Sequence, residues 1–221
     1  MPVLEAISGR RSVRRFLTTP VPLDVLSKIL NEAARAPSGT NIQPWKVHVV
    51  LGAARDRLSE AVLKAADAGE RCDEYAYIPA TLREPYLSRR RQIGFELYRL
   101  YGIDRTDFPA RKEAALRNYK FFGAPVGIFF TLDSDLLHGS WLDCGMFMQN
   151  VMLLARAYGL ESCPQQAWCE YGKIVHEELN IPGDQIILSG MAIGYPDSDA
   201  PENKIISPRI REDEFAIYHS E

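Results

Sequence analysis

The 221-residue sequence has no uncharged apolar run approaching membrane length, so a transmembrane helix is not expected. Its start, Met1-Pro2-Val3-Leu4-Glu5-Ala6, lacks the basic, apolar and small-residue regions of a secretory signal. Cysteine is scarce. Cys72, Cys144, Cys163 and Cys169 are scattered and form no Cys-x-x-Cys pair, which argues against a disulfide framework and for a reducing, cytoplasmic setting. The histidines, His48, His138, His176 and His219, stand alone without the helical pairing of metal sites, and no metal is expected. A formal net charge of -3 gives no global pull toward nucleic acid or an anionic membrane, and neither is expected as a partner. There is no Gly-x-Gly-x-x-Gly, Walker A, Gly-x-Ser-x-Gly or His-Glu-x-x-His sequence, which removes support for dinucleotide-fold, nucleotide-triphosphatase, serine-hydrolase and zincin readings.

What is present, 46% hydrophobic and 25% charged residues, is the balance of one domain spanning 1–221 with a sizeable core. Helical spacing marks Pro22 to Ala36 (Leu26, Ile29, Leu30, Ala33) and residues 53–68. The clearest helix is Ser140 to Tyr158, apolar nearly all round and closed by Gly159-Leu160, which places it in the interior or at an interface. Lys46 to Leu51, Pro125 to Leu132 and Gln185 to Ile193 read as strands. Residues 70–112 are rich in Arg and Tyr with partial helical periodicity, and read as an insertion or lid. After Tyr195 the chain turns polar and reads as an arm, about 196–221, without a core of its own.

Four constellations carry chemistry. In Arg10-Arg11-Ser12-Val13-Arg14 an extended backbone turns Arg10, Ser12 and Arg14 to one side, either as a phosphate receptor or as a solvated basic patch. The stiff turn Pro37-Ser38-Gly39-Thr40-Asn41-Ile42-Gln43-Pro44-Trp45 either presents amides to the edge of a heteroaromatic ring or simply joins helix to strand. Ser162-Cys163-Pro164-Gln165-Gln166 either leaves the N–H groups of Gln165 and Gln166 to a ligand or is a plain loop, and Cys163 reads as a buried, inert thiol. Arg209 and Arg211 lie in the arm, and alone they read as surface charge.

In order and spacing these four constellations resemble the nitroreductase family of flavoproteins across nearly the whole chain. The resemblance implies an α+β, three-layer fold with a mixed central sheet flanked by helices, and a C-terminal arm exchanged between the subunits of a homodimer. It implies FMN as cofactor and NADPH or NADH as electron donor. Arg10, Ser12 and Arg209 would grip the FMN phosphate, with Arg11 contributing through its backbone, and Arg14 would sit near the N1 and C2 carbonyl side of the ring. Pro37, Ser38, Gly39 and Asn41 would reach the flavin from the partner subunit. Pro164, Gln165 and Gln166 would line the ring, the Gln166 N–H facing N5, so that Arg14 and Gln166 are the expected catalytic contacts. Thr40, Tyr86, Arg89 and Arg90 are expected to meet a small aromatic substrate, with a lid arginine pairing with any carboxylate on it. Within the family the chain looks most similar to bacterial nitrobenzoate-reductase-like proteins. The expected reaction is electron transfer from NAD(P)H to a nitroaromatic or quinone; the alternatives are reductive dehalogenation or another flavin redox reaction on a phenolic substrate, and flavin binding without turnover.

Overall fold

The computed structural model describes residues 1–220. Its sheet has four strands, β1 (Lys46–Leu51), β2 (Val126–Asp133), β3 (Glu161–Gln165) and β4 (Gln185–Gly194), in the order β1-β2-β4-β3. Every ladder is antiparallel, with Val50 opposite Gly127, Ile128 opposite Met191 and Cys163 opposite Ala192. The expected mixed sheet is therefore corrected to an antiparallel one among the described residues. Parallel contacts are confined to the single bridges Ser12–Ser162 and Cys72–Tyr171.

Side chains alternate across the pleat, and both faces of the sheet are covered. Phe129 points into one apolar layer with Leu58, Val62, Phe121, Trp168 and Val175. Ile128 and Phe130 point into the other with Leu26, Ile29, Phe147 and Val151. Helices α1 (Val3–Gly9), α2 (Leu23–Ala33), α3 (Gly52–Ala68), α4 (Tyr86–Leu100), α5 (Phe108–Leu116), α6 (His138–Ala157) and α7 (Gly172–Leu179) complete the α+β arrangement. The second layer is built by α2 and α6, the first by α3 and α7 with the 3₁₀ turns at 117–123 and 166–170. α6 buries Cys144, Phe147, Val151 and Ala155 and leaves Leu142 72% exposed, so it is both interior and surface. Gly159, at φ 78, ends it in the left-handed conformation that spares a side chain a clash.

Two further expectations are revised, for residues 161–165 and for the arm. Residues 161–165 form a strand and not a loop, and Pro164 is tolerated there because β3 is at the sheet edge, where a missing N–H breaks no interior ladder. The 70–112 segment contains α4 and the start of α5, neither of which has a fully buried residue. The arm is not coreless from its start: Ala200, Glu202, Asn203 and Ile205 are buried in their own protomer, and from Ile206, 87% exposed, to residue 220 none is buried, with Ile210 and Ala216 half-buried.

Candidate functional site

Residues distant in sequence meet in a cavity of about 580 Å³ lined by Ile7 to Ser12 at the end of α1, Gln149 of α6, and Ile205, Ile206, Ser207 and Arg209 of the arm. Arg10, Arg11, Ser12 and Arg209 thus share one space, and no carboxylate lines it. Such a set receives anions, since guanidinium forks and a hydroxyl match phosphate oxygens. The segment is placed by the sheet: Val13 is 1% exposed and its N–H donates to the Ser162 carbonyl at 3.1 Å. The alternation expected from the sequence holds for Arg10 and Ser12. Arg11 also lines the cavity, and its Nη1 donates to the Asn203 carbonyl at 3.2 Å. Arg209 folds back, Nη1 donating to the Ser207 and Pro208 carbonyls at 3.0 and 2.9 Å.

Arg14 is absent from the lining of that cavity. Its N–H donates to Asn203 Oδ1 at 2.7 Å, its Nη1 donates to the Ser12 carbonyl at 3.2 Å, and its charge acts on the Cys163 thiol. Burial pushes that thiol up to about 11, against the opposing effects of Arg14, Ser12 and Arg10. Close by, Glu161 pairs with Arg156. Burial raises its carboxyl, and Arg156, Arg11 and Arg10 pull the other way without cancelling it.

The turn after α2 is held from α6. The Gly39 N–H is shared by the two oxygens of buried Asp143 at 3.3 Å each, and the Gln43 N–H donates to Ser38 Oγ at 3.0 Å. Trp45 closes the turn by stacking on Phe147 of α6, with centroids 4.9 Å apart. Thr40, Asn41 and Gln43 all have left-handed φ, 48, 63 and 49°, a conformation that is costly for a β-branched threonine. Pro37, Gly39, Thr40 and Asn41 are exposed and Ser38 half-buried. The turn therefore presents its polar groups outward and does not share the arginine cavity.

Where β3 ends, Gln165 is 2% exposed and its Nε2 donates to the Asn118 carbonyl at 2.7 Å, while Gln165 Oε1 has no partner. Gln166 is exposed, and its Nε2 donates to Tyr75 Oη at 3.3 Å. It opens the 3₁₀ turn at 166–170, a position whose N–H has no intrahelical acceptor. Tyr75, whose hydroxyl is raised by burial, donates to the Leu188 carbonyl at 2.6 Å. On α4, Tyr86 is 50% exposed with the Arg83 and Arg89 guanidinium carbons 5.8 and 6.0 Å from its ring centroid. Arg89, Arg90 and Arg91 are all exposed, and Arg89 lines a groove with Ser207, Arg209 and Glu214. Thr40 and the α4 residues thus belong to different parts of the protomer.

Gln149, Ser207, Asp143 and Asn203 escaped the sequence reading. Gln149 carried a signal, as a polar residue in a helix apolar nearly all round; Asn203, in a polar run, carried none.

An antiparallel sheet between two helical layers, with an arginine cavity at one end of the chain's extended N-terminal segment, defines an α+β protein equipped to receive an anionic group. The Nitroreductase family model matches residues 7–195, and the chain belongs to the nitroreductase family. It is 37% identical over 216 residues to the nitrobenzene nitroreductase of Ectopseudomonas oleovorans, covering 97% of this chain and 95% of that protein. It is 39% identical over 203 residues to the 4-nitrobenzoate reductase of Pseudomonas putida, covering 92% and 89%. The solved structure of the FMN and NADPH-dependent nitroreductase NfnB from Sphigopyxis sp. strain HMH superposes with a TM-score of 0.97 at 40% identity over 100% of both chains.

Proposed function

We propose that this protein is an FMN-dependent nitroreductase that uses NADPH or NADH to reduce small nitroaromatics such as nitrobenzene or a nitrobenzoate, and that it works as a homodimer. The observation that carries this reading is the convergence of Arg10, Arg11, Ser12 and Arg209 on a cavity free of carboxylates. A terminal phosphate fits this donor set. The names of the relatives supply the substrate class and the cofactors.

In this reading Arg10, Ser12 and Arg209 hold the FMN phosphate, and Pro164, Gln165 and Gln166 line the ring, with the Gln166 N–H at its edge. FMN, when bound, takes two electrons from the nicotinamide and passes them to the acceptor. Arg14 would supply a cation near the ring, where it would stabilise the negative charge of the reduced flavin more than the neutral oxidised form. Pro37, Ser38, Gly39 and Asn41 complete the site across the dimer, which accounts for a strained turn that is fastened from behind by Asp143 and exposed in front. Leu4, Leu142, Ile206 and Ile217, 72–87% exposed, give the second copy an apolar surface to cover. Thr40, Tyr86, Arg89 and Arg90 are proposed to meet the substrate, and residues 70–112 to act as its lid.

Purified protein should be yellow, release FMN on heating, and, with oxygen excluded, turn over NADPH or NADH only when a nitroarene is supplied. Recovery of FAD, or a colourless protein that FMN cannot reconstitute, would overturn the reading. Deleting residues 206–221 should abolish both the dimer and flavin retention; a flavin-bound monomer in light scattering would remove the two-chain site.

A further inference from the structure

Glu202 and Asn203 lie in the polar stretch after Tyr195, yet they are 1% and 6% exposed. Asn203 spends its whole side chain on the main chain. Oδ1 accepts from the Arg14 N–H at 2.7 Å, and Nδ2 donates to the carbonyls of Arg15 and Asp197 at 2.7 and 2.8 Å. Its own carbonyl accepts from Arg11 Nη1 at 3.2 Å. Glu202 Oε1 accepts from Arg15 Nε at 3.0 Å and from Arg117 Nη2 at 2.9 Å, and that same Arg117 nitrogen donates to the Arg14 carbonyl at 2.8 Å. Arg14 is therefore gripped on both sides: its N–H by Asn203 and its carbonyl by Arg117. With the backbone fixed, only side-chain torsions remain to aim the guanidinium, and Nη1 already donates to the Ser12 carbonyl.

The same two residues stand just ahead of the arm wall of the arginine cavity, since Ile205, Ile206, Ser207 and Arg209 follow after Lys204. A single buried amide thus ties the segment carrying Arg10, Ser12 and Arg14 to the segment carrying Arg209. Removing one partner of such buried hydrogen bonds strands the others, so the geometry would be lost and not merely loosened.

We propose that Asn203 is a positioning residue for the cofactor site, which, together with Glu202 and Arg117, sets the direction of the Arg14 cation. This rests on the reading that the site holds FMN. Asn203 touches no cofactor; it acts through Arg14. A mere tether for the arm would change stability whatever stood at position 14, whereas a positioning residue shows its effect only while Arg14 is there to be positioned.

The test is a double-mutant cycle on the holoenzyme with Asn203→Ala and Arg14→Met, reading the flavin midpoint potential and the FMN dissociation constant by flavin fluorescence. Arg14→Met should make the potential more negative. Asn203→Ala should shift it the same way by about tenfold in the two-electron equilibrium, some 30 mV. In the double variant the Asn203 effect should vanish to within about twofold. Additive shifts, or an unmoved potential in Asn203→Ala beside a shifted Arg14→Met, overturn the proposal alone. An unmoved potential in Arg14→Met overturns the role given to Arg14 and the proposal with it. If Asn203→Ala does not fold, Arg117→Lys replaces it. Arg117 is 25% exposed, and Lys keeps a charge for Glu202 while drawing the donor away from the Arg14 carbonyl. A shift of about threefold that disappears in the Arg14→Met background supports the proposal, and an unchanged potential overturns it.

Discussion

Cys163 stands in β3 beside Arg14, and a neighbouring guanidinium is the usual means of activating a thiol. Burial decides the matter, because the side chain is 3% exposed and its thiol is pushed up to about 11. Near neutral pH it is a protonated, shielded group, whereas Cys72 is half-buried at the surface. Iodoacetamide should modify Cys72 well before Cys163; peptide mapping that found both at the same rate would contradict this. The inert thiol was legible in the sequence from the absence of any nearby histidine, and Arg10 and Ser12 sharing one side from their spacing, whereas Arg209 read as surface charge until the family resemblance was added. The residues that hold them were not legible. Asp143 and Asn203 act on backbone groups far away in sequence, and nothing local marks a side chain whose partner is another segment's N–H.

Among the elements, α2, α3, α6, β2 and β4 announced themselves because each buries a periodic or continuous apolar set, and β1 by its three valines, of which only Val50 is buried. β3 did not: Glu161-Ser162-Cys163-Pro164-Gln165 has one weak apolar residue and a proline, and is a strand only because β4 offers it an edge. α4 was blurred for the opposite reason, since a helix without a fully buried residue has no stripe to read. β4 carries its own tight spot at Gly190, where an added Cβ would lie 2.3 Å from Trp168 Cδ1. Trp168 is fully buried and stacked on Phe121 with centroids 4.6 Å apart, so it has no room to move. Gly190→Ala should cost about 1–3 kcal/mol in urea unfolding; a loss below about 0.5 kcal/mol would show that the ring can yield. The arginines of α4 bear on substrate charge. Arg89, Arg90 and Arg91 are exposed, and a carboxylate paired with them in water gains little. Catalytic efficiency toward 4-nitrobenzoate should therefore exceed that toward nitrobenzene by no more than about fivefold, and Arg90→Gln should erase part of the difference. A preference of about a hundredfold in steady-state kinetics would mean that the lid closes around the substrate and shields the pair from water.

For the molecule as a whole, the acid limit is set in part by Glu202. Burial alone would raise its carboxyl, but hydrogen bonds from its own backbone N–H, Arg117 and Arg15 outweigh that and hold it below the ordinary value of 4.5. A carboxyl lowered in the folded state contributes stability that is full above its unfolded value and is lost as pH falls through the folded one. The thermal midpoint of the native protein should therefore drop more steeply than that of Glu202→Gln between about pH 5 and pH 3. Parallel curves would place the acid sensitivity elsewhere. The global layout followed from the sequence only through its resemblance to a family, since neither the strand order nor the closure of the arm's first residues onto the protomer is written in any local pattern.

The arginine cavity joins residues 7–12 to residues 205–209. A ribosome releases the first set early and the second only after every strand of the sheet has been made, so during synthesis the pocket comes later than the strands. Flavin loading therefore reports on the arm: a chain that stops before residue 205 lacks one wall of the pocket, whatever the state of its sheet.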